Sequence, residues 1–282
     1  IILKINICPD GDGCRDNIGY VRTPAVRLSR LMRRSVRRIY VMSEQLRLDK
    51  YLADMGIGTR SQLKEWIRKG RIKVNGTVYK KPEYKVIPET DEVYFDDTRV
   101  EYTKYLYFML NKPAGVVSAT TDQVSRTVVD LIPDKRGKDL FPVGRLDKDT
   151  EGLLLPTNDG ELAHCLLSPK KHVDKVYFAR VKGCVTEEDK EAFLRGVRLE
   201  EDYCTLPAKL EIIKSGDISE TELTIHEGKF HQVKRMFEAV GKEVIYLKRL
   251  SMGGLVLDER LAPGDYRILS ADEVEYLKNL DI

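Results

Sequence analysis

The 282-residue chain is poor in cysteine, with five, at positions 8, 14, 165, 184 and 204. They form no C-x-x-C pair and leave one over. That argues against a disulfide framework or a cysteine zinc site and fits reduced intracellular thiols. The four histidines, His164, His172, His226 and His231, have no ligand spacing with cysteine or carboxylate, so no metal is expected. Neither a Walker loop nor a G-x-G-x-x-G turn is present, so no nucleotide cofactor is expected either. No apolar run approaches the ~20 residues that span a bilayer; a cytoplasmic protein without membrane contact is expected. What the chain does have is 42% hydrophobic residues, enough for a real core, and 33% charged residues. Its 48 basic and 45 acidic side chains net only +3, so the distribution of charge carries more information than the sum.

That distribution is uneven from the start. Residues 1–41 open on Ile1 and lack hydrophobic periodicity until Arg27–Tyr40, which holds six arginines and no acid. They are expected to be a non-domain extension, with Met42 as the natural start; a basic arm touching RNA or membrane, or a transit-like peptide, is the other reading. Residues 46–95 are expected to form a small αβ module. Leu48, Tyr51 and Leu52 fall at i, i+3, i+4, and Thr59 or Ser61 can cap a second helix whose Leu63, Trp66 and Ile67 face inward. Asn75-Gly76 between two β-branched runs signals a tight hairpin. Residues 46–85 carry eleven basic against four acidic side chains. An excess of seven in forty residues favours a phosphate-binding surface over a merely solvated face.

Residues 96–105 are polar and read as a linker. Beyond them, short β-rich runs (106–110, 116–117, 153–155, 176–181, 223–225) alternate with helical patterns (187–195, 231–240, 271–280), which predicts an α+β domain over 106–282 with a mixed or antiparallel sheet. The densest signal is Gly144-Arg145-Leu146-Asp147-Lys148-Asp149-Thr150-Glu151-Gly152, followed by Leu153-Leu154-Leu155 and, after Pro156, by Thr157-Asn158-Asp159-Gly160. A polar loop with two carboxylates at a strand edge is a place where catalytic groups sit. Asp147 or Asp149 could equally bond nearby backbone amides in an Asx-turn. Spacing leaves both open. Pro156 is expected to put that strand end at an edge or bulge.

Two resemblances sharpen these readings. The 46–95 module, with R-L-D-K-Y-L, the T-R-S helix and G-R-I-K-V-N-G, resembles the S4 RNA-binding domain. That implies docking on structured RNA through shape and phosphates, with Arg47, Arg60, Lys64, Arg68, Lys69 and Arg71 as expected contacts. The loop G-R-L-D-x-D-T-x-G-L-L-L-x-T-N-D-G resembles the signature motif of the RsuA-type pseudouridine synthases (RsuA/RluB/RluE/RluF). Tyr107–Gly115 (Y-F-M-L-N-K-P-x-G), Lys175-Val176-Tyr177, Glu227–Phe237 (E-G-K-F-H-Q-V-K-R-M-F) and the tail 253–267 agree with it in order. Pro156 departs from the family pattern.

The resemblance implies an isomerase that breaks the uridine C1′–N1 bond, turns the base and rejoins it through C5. It implies Asp147 as the catalytic carboxylate, attacking C1′ or taking the 2′ proton. Tyr177 would stack on the flipped uracil with its hydroxyl near C5. Lys234 would be a buried cation paired with Asp147, Arg145 would hold the flipped nucleotide, and Arg235 would point to RNA phosphate. The reaction conserves atoms, so no cofactor is expected. The wording of the motifs lies nearest the small-subunit type, implying 16S ribosomal RNA at uridine 516, in an assembly intermediate, by a monomeric enzyme. The alternatives are a large-subunit (23S) rRNA target, or a non-catalytic S4-domain ribosome-assembly protein. An intact Asp147, Tyr177 and Lys234 argue against the last.

Overall fold

The sequence alternates between short helices and short strands in its first half because turn chemistry recurs every few residues, and the computed structural model follows that punctuation. It describes residues 44–133, 140–200 and 203–280; the expectations for residues 1–41 lie outside them. Helix α1 (Leu48–Asp54) ends before Gly56, which turns the chain at φ +70°. Helix α2 (Arg60–Arg68) begins with a reciprocal capping box in which Thr59 and Gln62 satisfy each other's backbone amides. Asn75 and Gly76, both at positive φ, join strands Ile72–Val74 and Thr77–Val78. Leu48, Tyr51, Leu52, Leu63, Ile67, Ile72 and Val93 close the core of this module.

The module reaches further than the sequence reading allowed. The expected boundary at residue 95 and the linker 96–105 are corrected. Thr98–Val100 pairs with Val93–Phe95, and buried Val100 accepts a hydrogen bond from the Tyr51 hydroxyl at 2.7 Å. The hairpin turn is Asp96-Asp97, both at positive φ. Aspartate tolerates that conformation, but its charge looks like linker.

The second module is built on an eight-stranded sheet. In spatial order its strands are Lys209–Lys214, Ile218–Ile225, Lys175–Lys182, Glu243–Met252, Glu151–Leu154, Phe108–Lys112 and Tyr266–Ile268, with Leu255–Val256 hairpinned onto Glu243–Met252. All pairings are antiparallel except Glu243–Met252 against Glu151–Leu154. An α+β fold with a mixed, mainly antiparallel sheet is therefore what forms. Helices α4 (Glu187–Arg195) and α5 (Gln232–Ala239) contribute to one core, with Leu154, Leu223 and Leu247. Helices α3 (Gly160–Leu167) and α6 (Ala271–Lys278) contribute to the other, with Leu153, Leu155 and Met252. Successive strand residues point to opposite faces, so Leu153 and Leu154 serve different cores. That is why this strand reads as an unbroken apolar run. Pro156 interrupts the ladder: the strand of the large sheet stops at Leu154, Pro156–Thr157 pairs with Phe141–Pro142, and Thr157 returns to a single bridge with Tyr107 in the same register.

Candidate active site

The loop before strand Glu151–Leu154 is held from below by the segment that follows strand Phe108–Lys112. The Ser118 hydroxyl donates to the Leu146 carbonyl at 2.8 Å and accepts from the Leu146 amide at 3.0 Å. The Gly115 amide donates to the Lys148 carbonyl at 2.7 Å. Lys112, fully buried, spends its ammonium on three carbonyls: Thr150 at 2.8 Å, Pro113 at 3.0 Å and Lys148 at 3.2 Å. Burial pushes its pKa down to about 8, opposed by Asp149, Asp147 and Glu151. The loop then closes its own turn, the Thr150 amide donating to the Asp147 carbonyl at 3.1 Å. Gly152 follows at φ +102°, where an added Cβ would lie 2.2 Å from the Arg249 carbonyl oxygen; only glycine lets the neighbouring strand approach so closely. Arg249, buried, donates from Nε to the Leu153 carbonyl at 2.8 Å.

Across a pocket from this loop stands the start of α5. Its approach, residues 227–231, is braced: Gln232 accepts from the Lys229 amide at 2.9 Å and donates to Glu227 at 2.8 Å. Glu227 also accepts from the Tyr203 hydroxyl at 2.8 Å and the Leu206 amide at 2.9 Å. The helix thereby presents Lys234, whose Nζ lies 3.1 Å from Asp147 Oδ2 and 2.7 Å from Asp149 Oδ1. Burial works against the charge on Lys234, but the bonds to Asp149 and Asp147 outweigh it and hold its pKa above the ordinary lysine value. Lys234 in turn holds Asp149 below the usual carboxylate range, against a smaller opposing effect of burial. One reading is corrected here: Lys234 is not fully buried, its side chain being 25% exposed. Asp149 shares the lysine with Asp147.

Tyr177, in the central strand Lys175–Lys182, is buried to 7% exposure and lines the same pocket as Asp147. Its hydroxyl makes no hydrogen bond among the described residues. Arg145 lies exposed at the pocket's edge. The structure thus brings Asp147, Tyr177, Lys234 and Arg145 to one place. Arg235 does not join them: it is tied to Glu200 Oε1 at 2.7 Å and the Leu199 carbonyl at 3.3 Å, so its expected phosphate role meets a competing internal partner. Among residues the sequence reading passed over, Lys112 had a signal in N-K-P, a lysine ending an otherwise uncharged strand. His231, whose Nε2 lies 3.6 Å from Asp147 Oδ1, had none beyond its place in the motif.

The expected RNA-facing side chains of the first module divide into two sets. Arg60, Lys64 and Arg68 are exposed and make no hydrogen bond or ion pair among the described residues. Arg47 pairs with Asp49 at 3.0 Å and Lys69 with Glu65 at 2.6 Å. Arg71 pairs with Asp96 and lies over the rings of Phe95 and Trp66, 4.5 and 5.1 Å from their centroids.

The family model described as RNA pseudouridylate synthase matches residues 106–239, and that of the S4 domain matches residues 46–93. The chain is 50% identical over 235 residues to "Uncharacterized RNA pseudouridine synthase YtzG" of Bacillus subtilis (strain 168), covering 82% of this chain and 98% of that protein. It is 44% identical over 237 residues to "Ribosomal large subunit pseudouridine synthase B" of the same organism (83% and 96% covered). It is 40% identical over 230 residues to "Ribosomal small subunit pseudouridine synthase A" of Escherichia coli (strain K12) (81% and 98% covered). A crystal structure of a pseudouridylate synthase superimposes with a TM-score of 0.58 at 41% identity, covering 82% of this chain and 99% of that one.

Proposed function

This chain belongs to the RNA pseudouridine synthase family, and from that premise we propose that it isomerises uridine 516 of small-subunit (16S) ribosomal RNA. In this reading it works as a cytoplasmic monomer on an assembly intermediate. The observation that carries the chemistry is the carboxylate of Asp147, aimed into a pocket beside Tyr177 and held by Lys234. A uridine flipped into that pocket meets the carboxylate at its ribose, where Asp147 attacks C1′ or removes the 2′ proton. The C1′–N1 bond breaks, the base turns, and C1′ bonds to C5. The C5 proton leaves and N1 regains one, so nothing is consumed. The Tyr177 ring stacks on the uracil, and its unpartnered hydroxyl serves the proton leaving C5. Lys234 keeps the carboxylate ionised and aimed. Arg145 holds the flipped nucleotide, and Arg60, Lys64 and Arg68 dock the S4 module on phosphates. Arg47, Lys69 and Arg71 add to that surface, and Arg235 contacts phosphate from the catalytic module, when RNA displaces their acidic partners.

The small-subunit target rests on the motif wording Y-F-M-L-N-K-P, H-Q-V-K-R-M-F-E-A-V-G and L-A-P-G-D-Y-R. The large-subunit relative at 44% identity supports 23S rRNA as the second reading. Nucleotide-resolution mapping of pseudouridine in rRNA from cells lacking the gene, and from the same cells given back wild type or Asp147→Asn, decides between them. Loss at uridine 516 restored only by wild type supports the first reading. Loss at a 23S position transfers the target to the large subunit. An unchanged map removes rRNA as substrate.

A further inference from the structure

Phe230 is 76% exposed, next in sequence to a residue of the catalytic pocket. Its ring lies on the His231 ring at 3.8 Å between centroids and 16° between planes. The pair forms a plate at the pocket mouth, which Val117, Ser118, Arg145 and Asp147 also line. The plate's inner edge is the His231 Nε2 that lies 3.6 Å from Asp147 Oδ1; its outer ring faces solvent. His231 takes φ +50° to hold this posture. A non-glycine residue keeps that backbone only where its surroundings over-determine it. The Glu227–Gln232 brace supplies that constraint, fixing the backbone on both sides of the two rings. Single exposed apolar side chains are ordinary. An exposed ring parallel to a second ring, on a braced and strained turn beside a catalytic carboxylate, calls for a flat partner.

Resting on the reading above, we propose that the Phe230–His231 plate is a stacking subsite for the nucleobase that flanks the flipped uridine. Flipping one nucleotide strips its neighbour of a stacking partner. A ring at the pocket mouth replaces that partner and lowers the cost of holding the RNA open. Exposed Arg145, Lys148 and Lys229 around the mouth suit the phosphates on either side of the flipped nucleotide. The plate has no donor or acceptor on the Phe230 face, so it accepts any base and favours purines, whose larger rings stack better. His231 is the inner support of the plate, and Phe230 is the residue that touches RNA.

The test uses the full chain with a synthetic hairpin copying the RNA around the mapped uridine, 2-aminopurine being placed on its 5′ and then its 3′ side. Binding is measured in an Asp147→Asn background, turnover in the otherwise intact protein. Phe230→Leu keeps apolar bulk without a π face, and Phe230→Trp keeps the face. Phe230→Leu is expected to weaken binding about 5- to 150-fold, the range spanned by one base stacked on an aromatic ring. It should raise KM more than it lowers kcat, and raise 2-aminopurine fluorescence in the complex on one side of the uridine. Phe230→Trp should stay within about threefold of the parent. If wild type turns over the RNA but Phe230→Leu matches it in binding, KM and fluorescence, the subsite is refuted while the enzyme reading stands. If wild type forms no pseudouridine in any rRNA, the reading of rRNA as substrate fails and the inference goes with it.

Discussion

Lys234 sits nearer to Asp149 than to Asp147, at 2.7 against 3.1 Å, so a single ammonium serves both carboxylates of the loop. The two are nevertheless unequal. Asp147 is 24% exposed and faces the pocket with Tyr177, whereas Asp149 is 74% exposed. Asp147→Asn is nearly isosteric and keeps the fold, but an amide can act neither as nucleophile nor as base. We expect at least about a 10⁴-fold loss of pseudouridine formation. Asp149→Asn removes an exposed ion pair worth at most ~1 kcal/mol and leaves Lys234 wholly to Asp147, so activity should fall roughly fivefold or less. Single-turnover tritium release from 5-tritiated uridine in rRNA measures both. Equal losses, or an essential Asp149 with a dispensable Asp147, would reverse the assignment.

Tyr177→Phe isolates one oxygen. The ring remains in the pocket wall and can still stack, while the hydroxyl, which has no protein partner among the described residues, is lost. Because no described residue bonds that oxygen, thermal stability should stay within about 0.5 kcal/mol of wild type. RNA binding should be retained and turnover should drop by on the order of 10²-fold or more, as for loss of a general acid–base group. Undiminished single-turnover rates would reduce Tyr177 to packing.

Local signals made much of this fold legible, and long-range ones did not. Asn75-Gly76, the Thr59 cap and helix α4 come from chemistry within a few residues and fall where the sequence places them. The ten-residue strand Glu243–Met252 went unread although it lies in the middle of the large sheet. Its alternation is interrupted by pairing irregularities at Val176/Tyr177 and Arg180/Val181, and by Lys248-Arg249, one side chain intermediate and the other buried. Helix α3 was missed because it is eight residues long and starts at a glycine, although Asp159 caps it through the Glu161 and Leu162 amides. Within the site, Asp147 came from motif wording. The partners of Asp149 and Arg235 could not, because Lys234 is 85 residues from the first and Glu200 is 35 from the second. Such pairings are products of tertiary folding.

Lys175 gives a pH-dependent signature. Burial and the nearby Arg249 push its pKa from 10.5 down to about 8, and its ammonium donates to the Val173 carbonyl at 2.9 Å. Below about pH 8 the lysine is charged whether folded or unfolded, and the burial cost is constant. Between about 8 and 10.5 the folded form is neutral while the unfolded form still binds a proton, so stability conferred by this residue rises with pH. Lys175→Met lacks that dependence. Urea unfolding at pH 7, 8, 9 and 10 should show wild type gaining on the variant, by up to ~3 kcal/mol across the full interval. A difference independent of pH would mean that Lys175 is not held neutral at the upper end.

Arg60, Lys64 and Arg68 recur every four residues along α2 and so share one face of it. All three are exposed and none is paired among the described residues. If that face docks on rRNA phosphates, replacing all three with alanine should weaken binding broadly. It should also flatten the plot of log K against log salt by up to about 0.9 per lost contact on a duplex, less on single strands. Lys69→Ala alone should change the slope less than Arg68→Ala, because Lys69 already has Glu65 as a counter-ion at 2.6 Å. The single-turnover rate at saturating RNA should hardly move, since Asp147, Tyr177 and Lys234 sit in the other module. Binding of wild type and variants at several salt concentrations, beside rates at saturation, separates capture from chemistry. A slope that stays put would leave the basic helix facing only solvent, and RNA capture would have to be sought at the pocket mouth around Arg145 and Lys229.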